Sequence, residues 1–465
     1  MPVVRTSTIT PPAAQLGAPT LVNTGMGGPF LLMSDLTTLI GNVNANKHRL
    51  AVSADSGTSW TQGSLFIDST WSINGVMETL DNEILVSLKA PSGGTGLVFK
   101  SVGWNKATAR GATKVVSNKL LVSNVVTLTT STPHGYAVGD YAYISGIDST
   151  FNGSVVVTAV PSATTFQYAK VAADVASSSA AGVVDIWKKV ITCSGADNWC
   201  DGRWGFTQRS VAPSWSKRAG QIMVCEYGKH VDVAATPDAA AIRAWLSKDN
   251  GLTWAVVFNL RDRYPGLTAK LHNHGCSYDP YDDRWLIVQG DGGQGDGGMC
   301  GIWWCNGETI DAPTWTLIPG SQTTTSLWQT TTVIPMETGL VLLGDGGPYG
   351  VNRVARRGYR RYGILQAVAP IGNAIIGGVG WRNNGWDPGA PLLLSYVAST
   401  ASGPPSLVAT VDGEVFTEIA RDTVVVTNGA PGYVYPLGPD IFGKVVWNLN
   451  LNGSGQLAVA EYLAP

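Results

Sequence analysis

The chain carries one eight-residue phrase twice, as Ser53-Ala54-Asp55-Ser56-Gly57-Thr58-Ser59-Trp60 and as Ser247-Lys248-Asp249-Asn250-Gly251-Leu252-Thr253-Trp254. Both copies read S-x-D-x-G-x-[TS]-W, and each follows an apolar run, Arg49 to Val52 in one case and Ile242 to Leu246 in the other. A short aspartate side chain can accept backbone N–H bonds across a turn, and glycine supplies the positive φ that tight turns demand. The closing tryptophan brings a large apolar surface to bury. The phrase is therefore a staple across a β-hairpin. Its repetition predicts a fold of repeated hairpin units and says little about chemistry.

Composition agrees with an all-β chain. Of 465 residues 56 are Gly and 25 Pro, only 14% are charged, and Val, Thr, Trp and Tyr are plentiful, which suits many strands and many turns. No stretch has a sustained helical period; the best, Pro237 to Leu246, is short and runs into the second phrase. A net charge of -2 gives no reason to expect a nucleic-acid partner. The basic run from Arg353 to Arg361 reads as a solvated hairpin. The first twenty residues lack an apolar signal core, and nothing later reaches transmembrane length, so neither export by a cleaved signal nor membrane insertion is expected. The six cysteines, Cys193, Cys200, Cys225, Cys276, Cys300 and Cys305, form no C-x-x-C pair. Cys193/Cys200 and Cys300/Cys305 could close small loops, and free buried thiols are the default in a reducing cytoplasm.

Residues 1–25 are rich in Pro, Thr and Ala and read as an extended arm. After them an apolar run ending in a Gly-rich turn recurs about every 45 to 65 residues, the spacing of a β-propeller array. It appears at Glu83–Leu88, Gln221–Cys225, Trp285–Val288, Gly339–Leu343 and Pro391–Leu394. Continuous apolar runs suit strands covered on both faces. With each repeated phrase placed between the third and fourth strands of a blade, the division is 26–66, a second blade from Trp71, then 196–262, 263–320, 321–368 and 369–422. In the fourth blade only Thr314-Trp315 remains of the phrase. The runs Lys444–Leu449 and Gln456–Tyr462 would close the ring onto the first blade. Six blades are favoured over five or seven. Blade two is interrupted at 115–184, where short strands alternate with Gly, Asn and Pro turns, enough for a small inserted β-domain. The expected organisation is thus an arm at 1–25, propeller at 26–114, the insert at 115–184, and propeller again at 185–465.

Two resemblances follow from these residues. The phrases at 53–60 and 247–254 resemble the Asp-box of the sialidase-like, BNR-repeat propellers. The insert, with T-x-T-T ahead of Pro133-His134-Gly135-Tyr136-Ala137-Val138-Gly139-Asp140 and then Phe151-Asn152-Gly153-Ser154, resembles small β-domains that recur in phage tail proteins. Together they imply a phage minor tail or receptor-binding protein, part of the virion and made in the host cytoplasm. Such a protein would bind host cell-surface glycan through one propeller face and other tail proteins through its arm, as a homo-trimer if it follows common tail-tip symmetry. The alternative is a propeller glycoside hydrolase trimming that glycan. Sialidase chemistry itself would need three clustered arginines, the first in an F-R-I-P or Y-R-I-P phrase that is missing here; the first blade offers only Arg49.

In a blade, the connection to the next blade and the loop between the second and third strands open on one end; the Asp-boxes lie at the other. That geometry selects Gly290-Asp291-Gly292-Gly293, Gly295-Asp296-Gly297-Gly298 and Gly344-Asp345-Gly346-Gly347, together with His272 and His274. Trp328, Tyr227, Lys229 and His230 would line the same mouth. Glycine loops let backbone approach a ligand, carboxylates accept sugar hydroxyls and aromatic rings stack on pyranoses. Asp291, Asp296 and Asp345 are the acid and base candidates if the protein is an enzyme; binding without catalysis is favoured. No metal is expected. His272 and His274, two imidazoles on one strand face, are where a transition metal would sit, and the Gly/Asp loops are where Ca2+ would. Asp279-Pro280-Tyr281-Asp282-Asp283-Arg284 should be a structural turn on the Asp-box end.

Overall fold

The structure is a computed structural model. It describes residues 15–16, 20–23, 26–43, 46–201, 205–227, 242–263, 272–290, 300–318, 330–344, 351–357, 361–369, 392–397, 405–410, 417–421, 444–449 and 456–463. Apart from short helical turns the described residues are all-β, and their strands form seven antiparallel sheets.

The first two strands, β1 (Gln15–Leu16) and β2 (Thr20–Asn23), belong to the sheet formed last. A four-stranded meander follows: β3 (Met26–Leu32), β4 (Leu39–Val43), β5 (Asn46–Ser53) and β6 (Thr61–Leu65). The next sheet begins with β7 (Ser72–Glu78), β8 (Ile84–Lys89) and β9 (Leu97–Ser101). The chain then leaves through β10 (Thr113–Val122), β11 (Val125–Thr130), β12 (Tyr141–Ser145), β13 (Gly153–Val156), β14 (Ala159–Ser162), β15 (Thr165–Ala169) and β16 (Val175–Ser179). It returns on β17 (Val183–Thr192), which pairs with β9 as the fourth strand of that sheet.

Three-stranded β18 (Ile222–Cys225), β19 (Arg243–Ser247) and β20 (Ala255–Asn259) come next. Two four-stranded meanders follow. One is β21 (His272–Asp279), β22 (Arg284–Gly290), β23 (Gly301–Asn306) and β24 (Thr316–Leu317); the other is β25 (Thr330–Met336), β26 (Gly339–Gly344), β27 (Val351–Arg357) and β28 (Arg361–Ala369). The sixth sheet is β29 (Leu392–Val397), β30 (Pro405–Thr410) and β31 (Thr417–Arg421). The seventh joins β32 (Lys444–Leu449) and β33 (Gln456–Leu463) to β2 and β1.

Two expectations change here. The first residues are not only an arm, since Thr20–Asn23 and Gln15–Leu16 pair antiparallel with β33. The C-terminal strands do not add to the first meander, which is complete without them; they make a sheet of their own with the start of the chain. A strand held at a sheet edge through backbone bonds needs little apolar patterning of its own, so Pro/Thr/Ala-rich sequence does not exclude it. Successive meanders whose last sheet mixes both chain ends are the construction by which a β-propeller hides its edges.

Burial separates the two parts of the molecule. In the meanders β8 is buried at five successive positions, and β21 and β25 at every position. Such strands are covered on both faces, and their side chains fill the space between one sheet and the next. Leu31, Ile40, Leu50, Val76, Val86, Phe99 and Val446 share one core, which links the first, second and last sheets. In the excursion, β11 alternates exposed or half-buried with buried residues, as do β12 and β15. That period of two marks sheets with one wet face. They enclose a core of their own, including Val116, Leu128, Tyr136, Phe151, Phe166, Tyr168 and Val184. β10 and β17 extend beyond the expected limits of 115 and 184 and run in both parts.

The H-G-Y-x-V-G-D phrase is structural. Tyr136 N–H donates to His134 Nδ1 at 3.0 Å, and the two rings stack at 5.1 Å. Ala137 N–H donates to Asp140 Oδ2 at 2.7 Å, Lys188 pairs with the same carboxylate at 2.5 Å, and the Tyr136 hydroxyl donates to the Asp185 carbonyl. At the root of the excursion, buried Asp185 accepts Ser64 Oγ at 2.5 Å and Arg110 Nε at 2.6 Å, while Trp187 Nε1 donates to Ser64 Oγ at 3.1 Å. Ser64 lies on β6, so this network ties the first meander to β17.

Candidate functional site

Both Asp-boxes connect the last two strands of a sheet, β5 to β6 and β19 to β20, and they match bond for bond. Ser53 Oγ donates to Asp55 Oδ1 at 2.7 Å and accepts Gly57 N–H at 2.9 Å; Ser247 Oγ does the same with Asp249 and Gly251 at 2.8 and 2.7 Å. Asp55 accepts the Ser59 N–H and hydroxyl at 2.8 and 2.6 Å, and Asp249 accepts those of Thr253 at 2.9 and 2.6 Å. Trp60 Nε1 and Trp254 Nε1 donate to the Gly57 and Gly251 carbonyls at 2.9 and 3.0 Å. The two glycines have φ of 85° and 86°, which a side chain would strain. Trp254 packs against a core containing Met77, Leu85 and Val98 of the neighbouring sheet. Trp315 of the degenerate box donates to the Val257 carbonyl of β20 at 2.7 Å. The boxes staple turns and join sheets.

The same end holds the Asp279-to-Arg284 turn between β21 and β22. Asp283 receives Arg218 through Nε at 3.0 Å and Nη2 at 2.9 Å, and Tyr278 Oη at 2.8 Å. Burial pushes the Asp283 carboxyl up, but the Arg218 and Tyr278 donors outweigh it, and the net shift is downward. On the other side Asp279 and Asp282 both receive Arg356 of β27. The 353–361 run is therefore not merely a solvated hairpin: Arg356 is 10% exposed and committed to two buried carboxylates.

Antiparallel strands put the other ends of β8, β18, β21 and β22 together, and there the candidate ligand site takes shape. His272 opens β21, and His274 is the extra residue of a bulge between Asn273 and Gly275 that turns its ring toward His272. Their ring centroids are 4.6 Å apart. Tyr227, just beyond β18, lies 4.3 Å from His272 and stacks at 13° on His274 at 6.3 Å. His274 Nδ1 is 2.7 Å from the Thr330 carbonyl at the start of β25. Gly290 ends β22 directly beneath this ring; a Cβ there would lie 1.9 Å from His274 Cε1.

Two residues absent from the sequence-derived set extend the row. Trp199 lies 5.6 Å from Tyr227, and Tyr227 N–H donates to the Trp199 carbonyl at 2.8 Å. Lys89, at the end of β8, holds its Nζ 3.9 Å from the Trp199 ring centroid. Trp199 and Tyr227 are half-buried, while both histidines are buried. Trp199 lies on the connection from β17 to β18, and connections between blades open on this end; that rule, applied to each tryptophan, would have found it.

Beneath the row Glu226 is fully buried. It accepts Ser194 N–H at 2.8 Å and the Ser194 hydroxyl, Trp245 Nε1 at 3.0 Å and Arg243 N–H at 3.1 Å. Burial raises its carboxyl above the ordinary range, against the pull of these donors. Its oxygens are spent on holding the β17–β18 connection to β18 and β19. Arg209, buried near Cys276, is pushed down to about 10 by burial. All six cysteines are buried, and none is in a disulfide.

Of the sequence-derived candidates, Tyr227, His272 and His274 come together. Lys229, His230, Asp291, Asp296, Trp328 and Asp345 lie outside the described residues. Among the described residues no three His, Cys, Asp or Glu side chains gather in a metal-holding group, and no helix is long and apolar enough to cross a membrane.

No protein-family model matches the chain, and no curated protein matches it. Solved structures do. A phage phi92 endosialidase aligns over 96% of this chain and 69% of its own, at 8% identity and a TM-score of 0.35. The apo prolyl oligopeptidase B from Galerina marginata aligns over 94% of this chain and 47% of its own, at 10% identity and a TM-score of 0.41. An ancestral GH74 enzyme aligns over 93% of this chain and 70% of its own, at 10% identity and a TM-score of 0.32. The chain thus spans about half the length of the oligopeptidase it matches.

Proposed function

We propose that this chain is a structural, host-attachment protein of a phage tail whose β-propeller binds cell-surface glycan, without cleaving it, at the end where Trp199, Tyr227, His272 and His274 meet. In this reading each of the seven sheets is a blade, one more than the sequence spacing favours, because the two chain ends supply the last. The excursion between β9 and β17 is a small domain inserted in the second blade. It leaves from the Asp-box end and so frees the aromatic end to face a cell. With Gln15–Leu16 and Thr20–Asn23 taken up by the last sheet, the inserted domain is the better candidate for contact with neighbouring tail proteins. The phage assignment rests on the resemblance of its H-G-Y-x-V-G-D and F-N-G-S phrases to tail-protein domains.

The observation that carries the binding reading is the row of rings itself. Four aromatic side chains from the β17–β18 connection, the end of β18 and the start of β21 follow one another at 4.3 to 5.6 Å, with a lysine over the first. Aromatic faces match the apolar faces of sugar rings, and the lysine offers a donor to their hydroxyls or acidic groups. The test is retention of the protein by host cell-wall polysaccharide, with product analysis of the same sample. Retention lost in Trp199→Ala, with no new reducing ends, supports the reading. Release of oligosaccharides would replace it with the glycoside hydrolase.

A further inference from the structure

We propose a second carbohydrate-binding platform on the opposite, Asp-box end, built on Trp215 and Tyr281. The inference is independent of the site at Trp199. Trp215 is the one tryptophan among the described residues that is exposed, at 52%. It stands on the turn between Val211 and Ile222, which lead the third sheet, and its ring centroid lies 6.0 Å from that of Tyr281 at an angle of 55°. Tyr281 is backed by the Arg356 guanidinium, 5.2 Å from its centroid.

The turn that presents Trp215 is braced. Ser216 N–H and hydroxyl both donate to the Pro213 carbonyl, at 2.9 and 2.8 Å, and Gln221 N–H donates to the Arg218 carbonyl at 2.8 Å. Arg218 is clamped on Asp283, in the turn that carries Tyr281. The turn is held before a ligand arrives, so little backbone entropy is lost on binding. Tryptophan held open to water costs apolar exposure that a purely structural wedge would avoid.

The surroundings select the ligand class. Ser214 is exposed, and Lys217 and Glu308 are 68% and 71% exposed with their charges 3.7 Å apart. A protein-docking centre would be depleted of such charges. A flat indole with hydrogen-bonding groups at its edge suits a pyranose ring, whose C–H face stacks while its hydroxyls reach outward.

The experiment is affinity electrophoresis of the intact chain in gels containing xyloglucan, mixed-linkage β-glucan or arabinogalactan, for the wild type, Trp215→Ala, Trp215→Phe, Trp199→Ala and the double alanine variant. Expected is retardation by at least one polysaccharide that weakens about tenfold or more in Trp215→Ala and is largely retained in Trp215→Phe. It should persist in Trp199→Ala. An unchanged melting temperature shows that Trp215→Ala keeps the fold. Equal retardation of wild type and Trp215→Ala in every gel overturns the proposal, as does no retardation of the wild type. Loss of self-association in Trp215→Ala without any change in retardation also overturns it, in favour of a protein contact. Retardation lost only in Trp199→Ala sinks this platform and leaves the first site standing; the reverse result does the opposite.

Discussion

Arg356 and Asp279 meet end to end: Nη1 lies 2.6 Å from Oδ2 and Nη2 lies 2.7 Å from Oδ1, while the Asp279 side chain is wholly buried. The arginine comes from the fifth sheet and the aspartate from the fourth. Arg356 also holds Asp282, and its Nε and Nη2 donate to the Met336 carbonyl at 2.9 and 2.8 Å. With Arg218 holding Asp283 from the third sheet, one turn of six residues ties down both of its neighbours.

Removing the cation should therefore cost more than removing a surface pair. Arg356→Met would leave Asp279 and Asp282 buried together without the guanidinium they share, Arg284 remaining only beside Asp282, and about 3–5 kcal/mol of stability should be lost. Arg356→Lys keeps the charge but loses the two-pronged fit and should fall between. Denaturant titration of the three proteins checks this; a loss under about 1 kcal/mol for Arg356→Met would show the pair to be dispensable.

The Asp-boxes make a prediction of a different kind. Asp55→Ala and Asp249→Ala each remove the acceptor of two hydroxyl bonds and of backbone N–H bonding across the turn, and each should cost about 1–3 kcal/mol. The part of glycan retention that depends on Trp199 should not change, because that row lies at the other end of the strands. Melting curves and polysaccharide retention on the same preparations test both halves. A box variant that melts normally but loses the Trp199-dependent retention would contradict the placement of that row at the far end.

These two features also show what was legible in advance. An Asp-box is local, its donors and acceptor lying within eight residues, so the sequence displays it whole. Arg356 and Asp279 are 77 residues apart, and nothing in the text of either segment announces the other; the basic run looked like a solvated face. Strands buried on both faces were readable from unbroken apolar runs such as Trp285–Val288. β1 and β2 were not, because the sheet accepts them through backbone bonds. At the aromatic end, His272 and His274 stood out as a rare i, i+2 pair. Trp199 was one tryptophan among 17, and only its position on a connection between sheets distinguishes it.

The carboxyl groups predict a pH profile with a maximum. Asp55, Asp249 and Asp283 are held below their ordinary range, because the hydroxyl, N–H and guanidinium donors around them outweigh burial. Each adds stability above about pH 4 that is lost as the pH falls through its folded value. Glu78, Asp185 and Glu226 are raised, by burial first. Folding takes up protons at these three, so their contribution runs the other way and stability declines as the pH rises through their raised values. Calorimetric melting temperatures from about pH 3 to pH 8 should peak on the acid side of neutrality and drop steeply below about pH 4. A melting temperature that climbs steadily up to pH 8 would contradict the assignment of the buried three.

The tightest constraint at the aromatic end is steric. Gly290 lies against the His274 ring, with a built Cβ only 2.1 Å from Nδ1 and 2.4 Å from Nε2. His274 cannot yield freely, since Nδ1 is engaged with the Thr330 carbonyl and Tyr227 stacks on it. Gly290→Ala must therefore push the imidazole out of the row or shift β22 away from β21. Displacing the ring breaks the 2.7 Å contact and disturbs Tyr227; shifting the strand strains the Gly290 pairing with His272. Either way about 1–3 kcal/mol of stability should be lost, and retention by cell-wall polysaccharide should fall with it. His274→Ala in the same background separates the two costs, because it removes the clashing ring. The double variant should melt higher than Gly290→Ala alone and still fail to bind. If the double variant binds as well as the wild type, His274 plays no part in recognition, and the site narrows to Trp199, Tyr227, His272 and Lys89.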